Sequence, residues 1–200
     1  MPAPCPPTGG RTVPSPYDAD PRLGALVVGR QELEDRVVEL GRQITLDYAD
    51  RPPLLVGVLK GAFVFMSDLS RSINLPVELD FMAVASYGST TRTSGVVRIV
   101  KDLELDLTGR HVLLVEDIID SGLTLSYLRR TLLARDPASL AVCSLLVREH
   151  YEVADLDVAY TGFRIPADFV VGYGLDVGER YRNLPFVCAL VGEPEVRQPS

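Results

Sequence analysis

The sequence has few of the residues from which disulfide frameworks and zinc modules are built. It contains three cysteines and two histidines among 200 residues. Cys143 and Cys188 lie inside apolar runs, which predicts small buried side chains, and Cys5 lies in a proline-rich stretch. There is no Cys-x-x-Cys pair and no Cys/His cluster. This composition argues against a disulfide scaffold and against a zinc site.

Long apolar runs and an excess of positive charge are also missing. No apolar stretch reaches the roughly 20 residues that span a bilayer, and the N-terminus lacks the basic-then-apolar pattern of a signal peptide. We therefore expect a cytoplasmic protein without a membrane partner. The net charge is −7, which argues against a general nucleic-acid binder, because neutralising phosphates requires a positive face. Local amides and metal ions can still bind a small polyanion.

The distribution of apolar and polar segments predicts one domain over residues 23–200. Hydrophobic residues make up 46% of the chain, whereas residues 1–22 carry seven of its 15 prolines and read as a disordered tail. Residues 193–200 read as a shorter loose end. Helices are predicted over 31–48, in the segment after residue 61, and from 125 to about 136, because apolar residues recur there at helical spacing.

Short apolar runs between these helices predict the strands of a single sheet. They cover residues 54–59, 77–86, 96–100, 112–115, 139–147 and 168–176. Strands that are apolar on both faces and alternate with helices are typical of a mostly parallel sheet flanked by helices. We therefore predict an α/β fold, with the strand at 96–100 pairing with the one before it.

Three carboxylates follow the predicted strand at 112–115, in the stretch VLLVEDIIDSGLTL. Ligands of open parallel sheets bind beyond the carboxyl ends of the strands, and a helix N-terminus offers unpaired N–H groups to an anion. Adjacent carboxylates accept hydrogen bonds from a vicinal diol. We interpret the stretch as a seat for ribose 5-phosphate, with the sugar hydroxyls on Glu116 and Asp117 and the phosphate on the turn from Asp120 to Thr124. The competing interpretation is an N-capped helix whose acids only favour the helix dipole.

The stretch VEDIIDSGLTL closely resembles the phosphoribosyl pyrophosphate signature of the type I phosphoribosyltransferases. Four further segments are similar, in order, to those of the bacterial members that act on hypoxanthine and guanine: VLKGAFVF, SYGSTTRTSGVVRIVKDL, GFRIPADFVVGYGLD and ERYRNLPFV. The resemblance runs from about residue 29 to residue 190. It implies a parallel sheet topped by a small hood from terminal segments. It also implies a purine-salvage enzyme that joins a 6-oxopurine to phosphoribosyl pyrophosphate and requires Mg²⁺.

The resemblance also implies roles for the residues that match the signature. Glu116 and Asp117 would hold the ribose hydroxyls, partly through Mg²⁺, and Asp120 would act as general base toward the purine N7. The 5′-phosphate would lie on the backbone of the next four residues, which are Ser121, Gly122, Leu123 and Thr124.

Roles at the leaving group, the purine and the lid follow from the other matching segments. Lys60 and Gly61 match a pyrophosphate loop, Arg182 a pyrophosphate-binding arginine, and Asp176 a ligand of a second Mg²⁺. Arg148, Phe169 and Val170 would bind the purine. Ser86 and Tyr87 would begin a mobile lid that extends to residue 95.

Two residues depart from the family pattern. Arg148 stands where relatives usually carry a lysine that donates to the purine 6-oxo group, which leaves the ranking of hypoxanthine, guanine and xanthine open. Val177 stands where an aromatic residue often follows the aspartate. The alternatives are a xanthine- or guanine-preferring enzyme and an RNA-binding attenuator on the same fold, the latter disfavoured by the acidic chain. By analogy we expect a homodimer or homotetramer.

Overall fold

The computed structural model describes Tyr17 and residues 20–87, 96–120, 122–149 and 158–192. Nine strands and three helices lie within these residues, in the order β1 (Leu23–Val28), α1 (Arg30–Asp47), β2 (Leu54–Leu59), α2 (Phe63–Ser72), β3 (Glu78–Tyr87), β4 (Val96–Lys101), β5 (His111–Ile119), α3 (Leu123–Leu133), β6 (Ser139–Arg148), β7 (Tyr160–Ile165), β8 (Val170–Val171) and β9 (Val187–Leu190). The predicted proline-rich tail and C-terminal loose end fall almost wholly outside the described residues.

A six-stranded sheet forms the centre of the fold, with strand order β4-β3-β2-β5-β6-β7. All neighbours pair in parallel except β4, which runs antiparallel to β3. The predicted mostly parallel sheet is therefore confirmed, as is the pairing of β4 with β3. From β2 the chain adds β3 on one side and β5 on the other, so the order reverses between β2 and β5. Such a switch point opens a crevice at the carboxyl ends of the two strands.

Helices cover both faces of this sheet because its strands alternate apolar side chains to either side. Leu33 and Leu40 of α1 and Phe65 of α2 pack against one face in the larger core. On the other face, Leu125, Leu128 and Leu132 of α3 pack against strand residues such as Val56 and Leu114. Cys143 is buried in the larger core, as the sequence predicts. No helix of the described residues is long and apolar enough to cross a membrane.

A second, three-stranded sheet with the order β1-β9-β8 is built from the two ends of the described chain. Both of its pairings are antiparallel. A small core beneath it contains Val171, Val177, Tyr181, Leu184 and Cys188, all buried. We call this unit the hood.

Several predicted boundaries are wrong, and backbone conformation explains the largest error. The predicted strand over 168–176 shrinks to Val170–Val171, because Gly172, Tyr173 and Gly174 all have positive φ and turn the chain. Strand β5 continues through Ile119, so Glu116 and Asp117 lie within it. Helix α3 ends at Leu133 rather than near residue 136. Strands β1, β7 and β9 lack a sequence prediction.

The buried carboxylate of Asp80 ties β3 to the segment that follows β4. It accepts hydrogen bonds from the backbone N–H groups of Phe81, Glu104 and Leu105 at 2.7, 2.8 and 2.9 Å. The side chain is 7% exposed, and Lys101 Nζ lies 4.0 Å away. This contact closes the connection between β4 and β5.

We predict that Asp80→Ala lowers the free energy of unfolding by about 1–3 kcal/mol, because buried N–H groups lose their acceptor. Asp80→Asn should cost less, since it keeps one acceptor oxygen. The matched control is Glu78→Ala on the same strand, whose side chain is 61% exposed and pairs with Arg110; it should change stability by at most about 0.5 kcal/mol. Urea unfolding measures all three variants. Equal losses of unfolding free energy for Asp80→Ala and Glu78→Ala would contradict the role of Asp80 as a stabilising buried acceptor.

Candidate functional site

A cleft of about 240 Å³ opens at the switch point between β2 and β5. Its walls come from the end of β2, the end of β5 and the first turn of α3, and the lining residues include Gly61, Glu116, Asp117, Asp120, Gly122 and Thr124. Strand β2 pairs with β5 only as far as Val115. Beyond that residue β5 runs on without β2, which lets its acidic residues face the cleft.

Glu116 is buried and Asp117 is half-buried at this end of β5. Burial raises the pKa of Glu116 well above its ordinary value, and the neighbouring Asp117 carboxylate raises it further. Burial also raises the pKa of Asp117 to about 6; backbone N–H groups and Arg182 oppose this rise, and Asp176 adds to it. Two adjacent desolvated carboxylates are costly unless a ligand or cation compensates them. The arrangement is therefore suited to binding rather than to stability.

The turn between β5 and α3 has the geometry of an anion site. Gly122 is the residue before the helix and has φ of 66°, a conformation that glycine adopts readily. Leu123 and Thr124 begin α3, so their N–H groups belong to the first turn, which has no partner within the helix. The Asp120 side chain is 65% exposed at the cleft. Ser121 lies outside the described residues.

Gly61 packs where a larger residue would not fit. A Cβ at this position would overlap the Asp117 carboxylate, and a Cβ at Gly174 would overlap the Gly61 carbonyl oxygen. Three chain segments therefore meet at this glycine: the end of β2, strand β5 and the loop after β8. The preceding peptide bond, between Leu59 and Lys60, is cis. Lys60 Nζ lies 3.1 Å from Glu179 Oε1.

The loop of residues 172–184, which we call the hood loop, brings a cation and an acid to the same edge. Arg182 Nη1 donates to the Gly174 carbonyl oxygen at 2.8 Å, and its Nη2 lies 2.8 Å from Asp176 Oδ1. Within the described residues, Arg182 Nε is buried and has no hydrogen-bond partner. The Gly174 carbonyl oxygen and the Asp176 carboxylate therefore hold this guanidinium in place.

Of the three residues predicted to bind the purine, Arg148 contacts Asp120 and also the segment that precedes Phe169 and Val170. Arg148 Nε is 2.7 Å from Asp120 Oδ1, an ion pair rather than an aligned hydrogen bond. Arg148 Nη1 donates to the carbonyl oxygens of Asp168 and Pro166 at 2.7 and 3.2 Å. Phe169, the next residue, is 40% exposed, so it is not the core aromatic that its apolar setting favours. Val170 is buried in β8.

The predicted metal ligands are not gathered into a closed site. Among the described residues, no three His, Cys, Asp or Glu side chains converge to hold a metal ion, so Glu116, Asp117 and Asp176 do not form one cluster. Mg²⁺ typically takes one or two carboxylates and completes its shell with substrate phosphates and water. Glu116 and Asp117 fit that pattern, because they supply two carboxylates whose raised pKa values show that the negative charge lacks compensation.

The structure thus brings most predicted site residues to one edge of the sheet and leaves some untested. Ser86 and Tyr87 end β3, where they pair with Val97 and Val96 of β4; the rest of the predicted lid, residues 88–95, lies outside the described residues. Val177 packs into the small core of the hood.

Sequence reasoning missed two residues of the site. Gly174 allows the hood loop to approach Gly61, and the Gly-Tyr-Gly pattern at 172–174 was a usable signal for a tight turn. Glu179 pairs with both Lys60 and Arg182. No sequence pattern predicts these two ion pairs.

A larger cavity of about 560 Å³ lies elsewhere, between α1, α2 and the hood loop. Arg182 also lines this cavity, and the other charged side chains of its lining are paired with each other: Arg30 with Glu34, and Arg71 with Asp68. Tyr173 donates to Asp68 at 2.6 Å. The smaller cleft is the better candidate site, because it alone of the two combines desolvated acids with a helix N-terminus.

Comparison with known proteins agrees with this geometry. Residues 29–177 match the phosphoribosyl transferase domain family. The chain belongs to the phosphoribosyltransferase family. The hypoxanthine-guanine phosphoribosyltransferase of Mycobacterium avium is 51% identical over 182 residues, covering 88% of this chain and 89% of that protein. The Bacillus subtilis protein of the same name is 47% identical, covering 82% and 92% of the two chains.

Solved structures of this phosphoribosyltransferase family share the fold. A Bacillus anthracis hypoxanthine-guanine phosphoribosyltransferase superimposes with a TM-score of 0.80 at 42% identity, covering 84% of this chain and 99% of that one. A Staphylococcus aureus hypoxanthine phosphoribosyltransferase also gives 0.80, at 40% identity, covering 89% and 96%. The matched domain contains every predicted site residue of this phosphoribosyltransferase except Arg182.

The raised pKa of Asp117 predicts that the free energy of unfolding of the metal-free protein depends on pH. The native state holds the proton up to about pH 6, whereas the unfolded chain releases it near pH 4. The free energy of unfolding therefore falls as pH rises through this window. Asp117→Asn removes the titration, so relative to wild type it should gain about 1–3 kcal/mol between pH 4 and pH 7.5.

Urea unfolding in the presence of a chelator measures this difference. Asp50→Asn is the matched control, because Asp50 is exposed and precedes β2 at the opposite end of the sheet. That variant should follow wild type at both pH values. If the free energy of unfolding of Asp117→Asn differs from that of wild type by the same amount at both pH values, the pKa of Asp117 is not raised by desolvation.

Proposed function

We propose that this protein transfers the phosphoribosyl group of phosphoribosyl pyrophosphate to a 6-oxopurine, hypoxanthine and also guanine. The products are the nucleoside 5′-monophosphate and pyrophosphate. The observation that carries the proposal is the cleft between β2 and β5, where buried Glu116 and half-buried Asp117 precede the N-terminus of α3. Relatives about half identical over most of the chain bear the names of enzymes with this activity.

The phosphorylated sugar fits the β5–α3 segment. Its two ring hydroxyls donate to Glu116 and Asp117, which compensates part of their desolvation. Its 5′-phosphate accepts from the N–H groups of residues 122–124, where the helix dipole also favours negative charge. The role of Ser121 beside them stays a prediction.

Asp120 is placed to serve the incoming purine. The purine N9 attacks C1′ of the sugar, the C1′–O bond to pyrophosphate breaks, and the bonding electrons leave with the pyrophosphate. Asp120 accepts the proton that the base loses at N7 as N9 becomes the nucleophile. Its side chain is exposed to the cleft, so an incoming base can reach it.

The leaving pyrophosphate lies between the end of β2 and the hood loop. The N–H groups at Lys60 and Gly61 and the guanidinium of Arg182 stabilise the charge that develops on it. Glu116 and Asp117 are the residues that would hold one Mg²⁺, and Asp176 of the hood loop would hold a second, each ion together with substrate oxygens. When bound, Mg²⁺ neutralises phosphate charge and aids departure of the leaving group.

The purine lies between Phe169 and Asp120. The ring of Phe169 stacks on the base, and the Val170 backbone meets its edge. Arg148 donates to the 6-oxo group and rejects adenine, whose 6-amino group is itself a donor. Ser86 and Tyr87 begin the lid that excludes water while the sugar carries positive charge at C1′. We also propose a homodimer or homotetramer, which sedimentation equilibrium measures.

A transfer assay with hypoxanthine, guanine, xanthine and adenine tests the proposal. Product should form with hypoxanthine and guanine, require Mg²⁺, and be absent with adenine. A higher rate of transfer to xanthine than to hypoxanthine or guanine would favour the xanthine-preferring alternative. No transfer to any base, together with salt-dependent RNA binding, would overturn the proposal in favour of an attenuator.

Asp120→Asn should lower kcat by about 10²- to 10⁴-fold, the loss typical of a missing general base. The exchange is isosteric and the side chain is exposed, so the melting temperature should stay close to that of wild type. Asp50→Asn is the control and should retain full turnover. Steady-state kinetics with hypoxanthine measures both. Turnover of Asp120→Asn near wild type would remove Asp120 from the reaction.

Arg148→Met should raise the KM for hypoxanthine by about 10- to 100-fold, because a charge-assisted hydrogen bond to the 6-oxo group is lost. The KM for phosphoribosyl pyrophosphate should change by less than about threefold. Arg148→Lys restores the residue that relatives usually carry. Lysine can still donate to the 6-oxo group but lacks the forked guanidinium that also donates to the Asp168 carbonyl oxygen. Equal changes of both KM values in Arg148→Met would contradict a purine-specific role.

A further inference from the structure

A short N-terminal segment docks on the hood beside the candidate site. We call Tyr17 together with residues 20–22 the N-terminal clamp. Its acceptor is Asp20, whose Oδ2 takes a hydrogen bond from the Tyr181 hydroxyl at 2.8 Å. The guanidinium carbon of Arg22 lies 5.3 Å from the centre of the Tyr181 ring, and the Tyr17 ring packs on the same side chain at 5.4 Å. Tyr181 is only 1% exposed.

The clamp is anchored to the hood by its backbone. The Val191 N–H donates to the Arg22 carbonyl at 2.8 Å, and the Leu23 N–H donates to the Asp20 carbonyl at 3.1 Å. Asp20 is an ionised acceptor at neutral pH: hydrogen bonds from the Arg22 side chain and backbone, and then from Tyr181, lower its pKa to about 2. The acceptor is therefore strong and fixed in position.

Tyr181 holds a backbone conformation that a residue with a Cβ rarely adopts. Its φ is 75°, in the left-handed region that favours glycine. Such conformations persist when surrounding contacts hold them. The following residue is Arg182, whose guanidinium reaches Gly174 and Asp176 across the loop. The direction in which Arg182 leaves the chain thus depends on the conformation of Tyr181.

We propose that Asp20 and Tyr181 are positioning residues for the pyrophosphate-binding arginine. The N-terminal clamp holds Tyr181 in its left-handed conformation, and Tyr181 in turn aims Arg182 at the leaving group. This inference rests on the proposed function of Arg182 and goes beyond it, because it gives residues near the start of the chain a part in binding pyrophosphate. Neither Asp20 nor Tyr181 needs to touch the substrate.

The chain offers a matched contact for the test. Tyr160 donates to Asp47 Oδ2 at 2.7 Å and is 8% exposed. Like the Tyr181–Asp20 bond, this hydrogen bond is partly buried, and it joins β7 to the end of α1, away from the hood loop. Removing either hydroxyl deletes one hydrogen bond of the same type, so general destabilisation should be similar in the two variants.

The experiment compares Tyr181→Phe with Tyr160→Phe in the full chain. Calorimetric titration with pyrophosphate in excess Mg²⁺ should give a Kd about 5- to 10-fold higher for Tyr181→Phe, the range expected for the loss of one hydrogen bond. Tyr160→Phe should bind pyrophosphate like wild type. In transfer assays, the KM for phosphoribosyl pyrophosphate should rise in Tyr181→Phe while the KM for hypoxanthine stays unchanged.

A second pair of variants separates positioning from folding. Asp20→Ala should weaken pyrophosphate binding as Tyr181→Phe does, and Asp20→Asn should restore much of it, because the amide oxygen still accepts from the Tyr181 hydroxyl. Equal pyrophosphate affinities for Tyr181→Phe and Tyr160→Phe, with wild type active, would overturn this inference alone. A wild-type protein that neither binds pyrophosphate nor transfers phosphoribose would overturn the proposed function as well.

Discussion

The desolvation of two adjacent carboxylates is the constraint around which this structure is organised. Glu116 and Asp117 lie on β5 where its neighbour β2 has stopped pairing, and burial raises the pKa of each. Hydrophobic packing elsewhere must offset their cost, and the two large clusters on the faces of the sheet supply that packing. A ligand with hydroxyl donors, or one that brings a cation, recovers part of the cost. The cleft is thus suited to a ligand that supplies hydroxyl donors or a cation.

The hood loop completes the site by close backbone approach rather than by large side chains. Gly174 lies against Gly61, and Gly61 lies against Asp117. The absence of a Cβ at both glycines lets the hood loop approach the central sheet this closely. Residues with positive φ recur along this loop and direct Arg182 and Asp176 toward the acid pair. The hood therefore places the Arg182 guanidinium and the Asp176 carboxylate close enough to interact electrostatically with Asp117.

The sequence predicts most strands of the central sheet, its helices and the position of the acidic segment, because these depend on local patterns. Apolar periodicity marks α1 and α3, and the acidic signature marks the end of β5. Contacts between distant segments have no such pattern, so the three strands β1, β7 and β9 and the pairing of Lys60 with Glu179 were not predicted. The strand expected over 168–176 fails for a local reason: its composition favours a strand, but its glycines allow turns that tertiary packing selects. The ion pair between Arg148 and Asp120 also appears only in three dimensions.

A crystal structure with a bound purine nucleoside 5′-monophosphate tests the central claim most directly. We expect the 5′-phosphate to lie on the N–H groups at the start of α3, with the ribose hydroxyls within hydrogen-bonding distance of Glu116 and Asp117. A nucleotide bound instead in the larger cavity between α1 and α2, with the β5–α3 turn packed against protein, would contradict it.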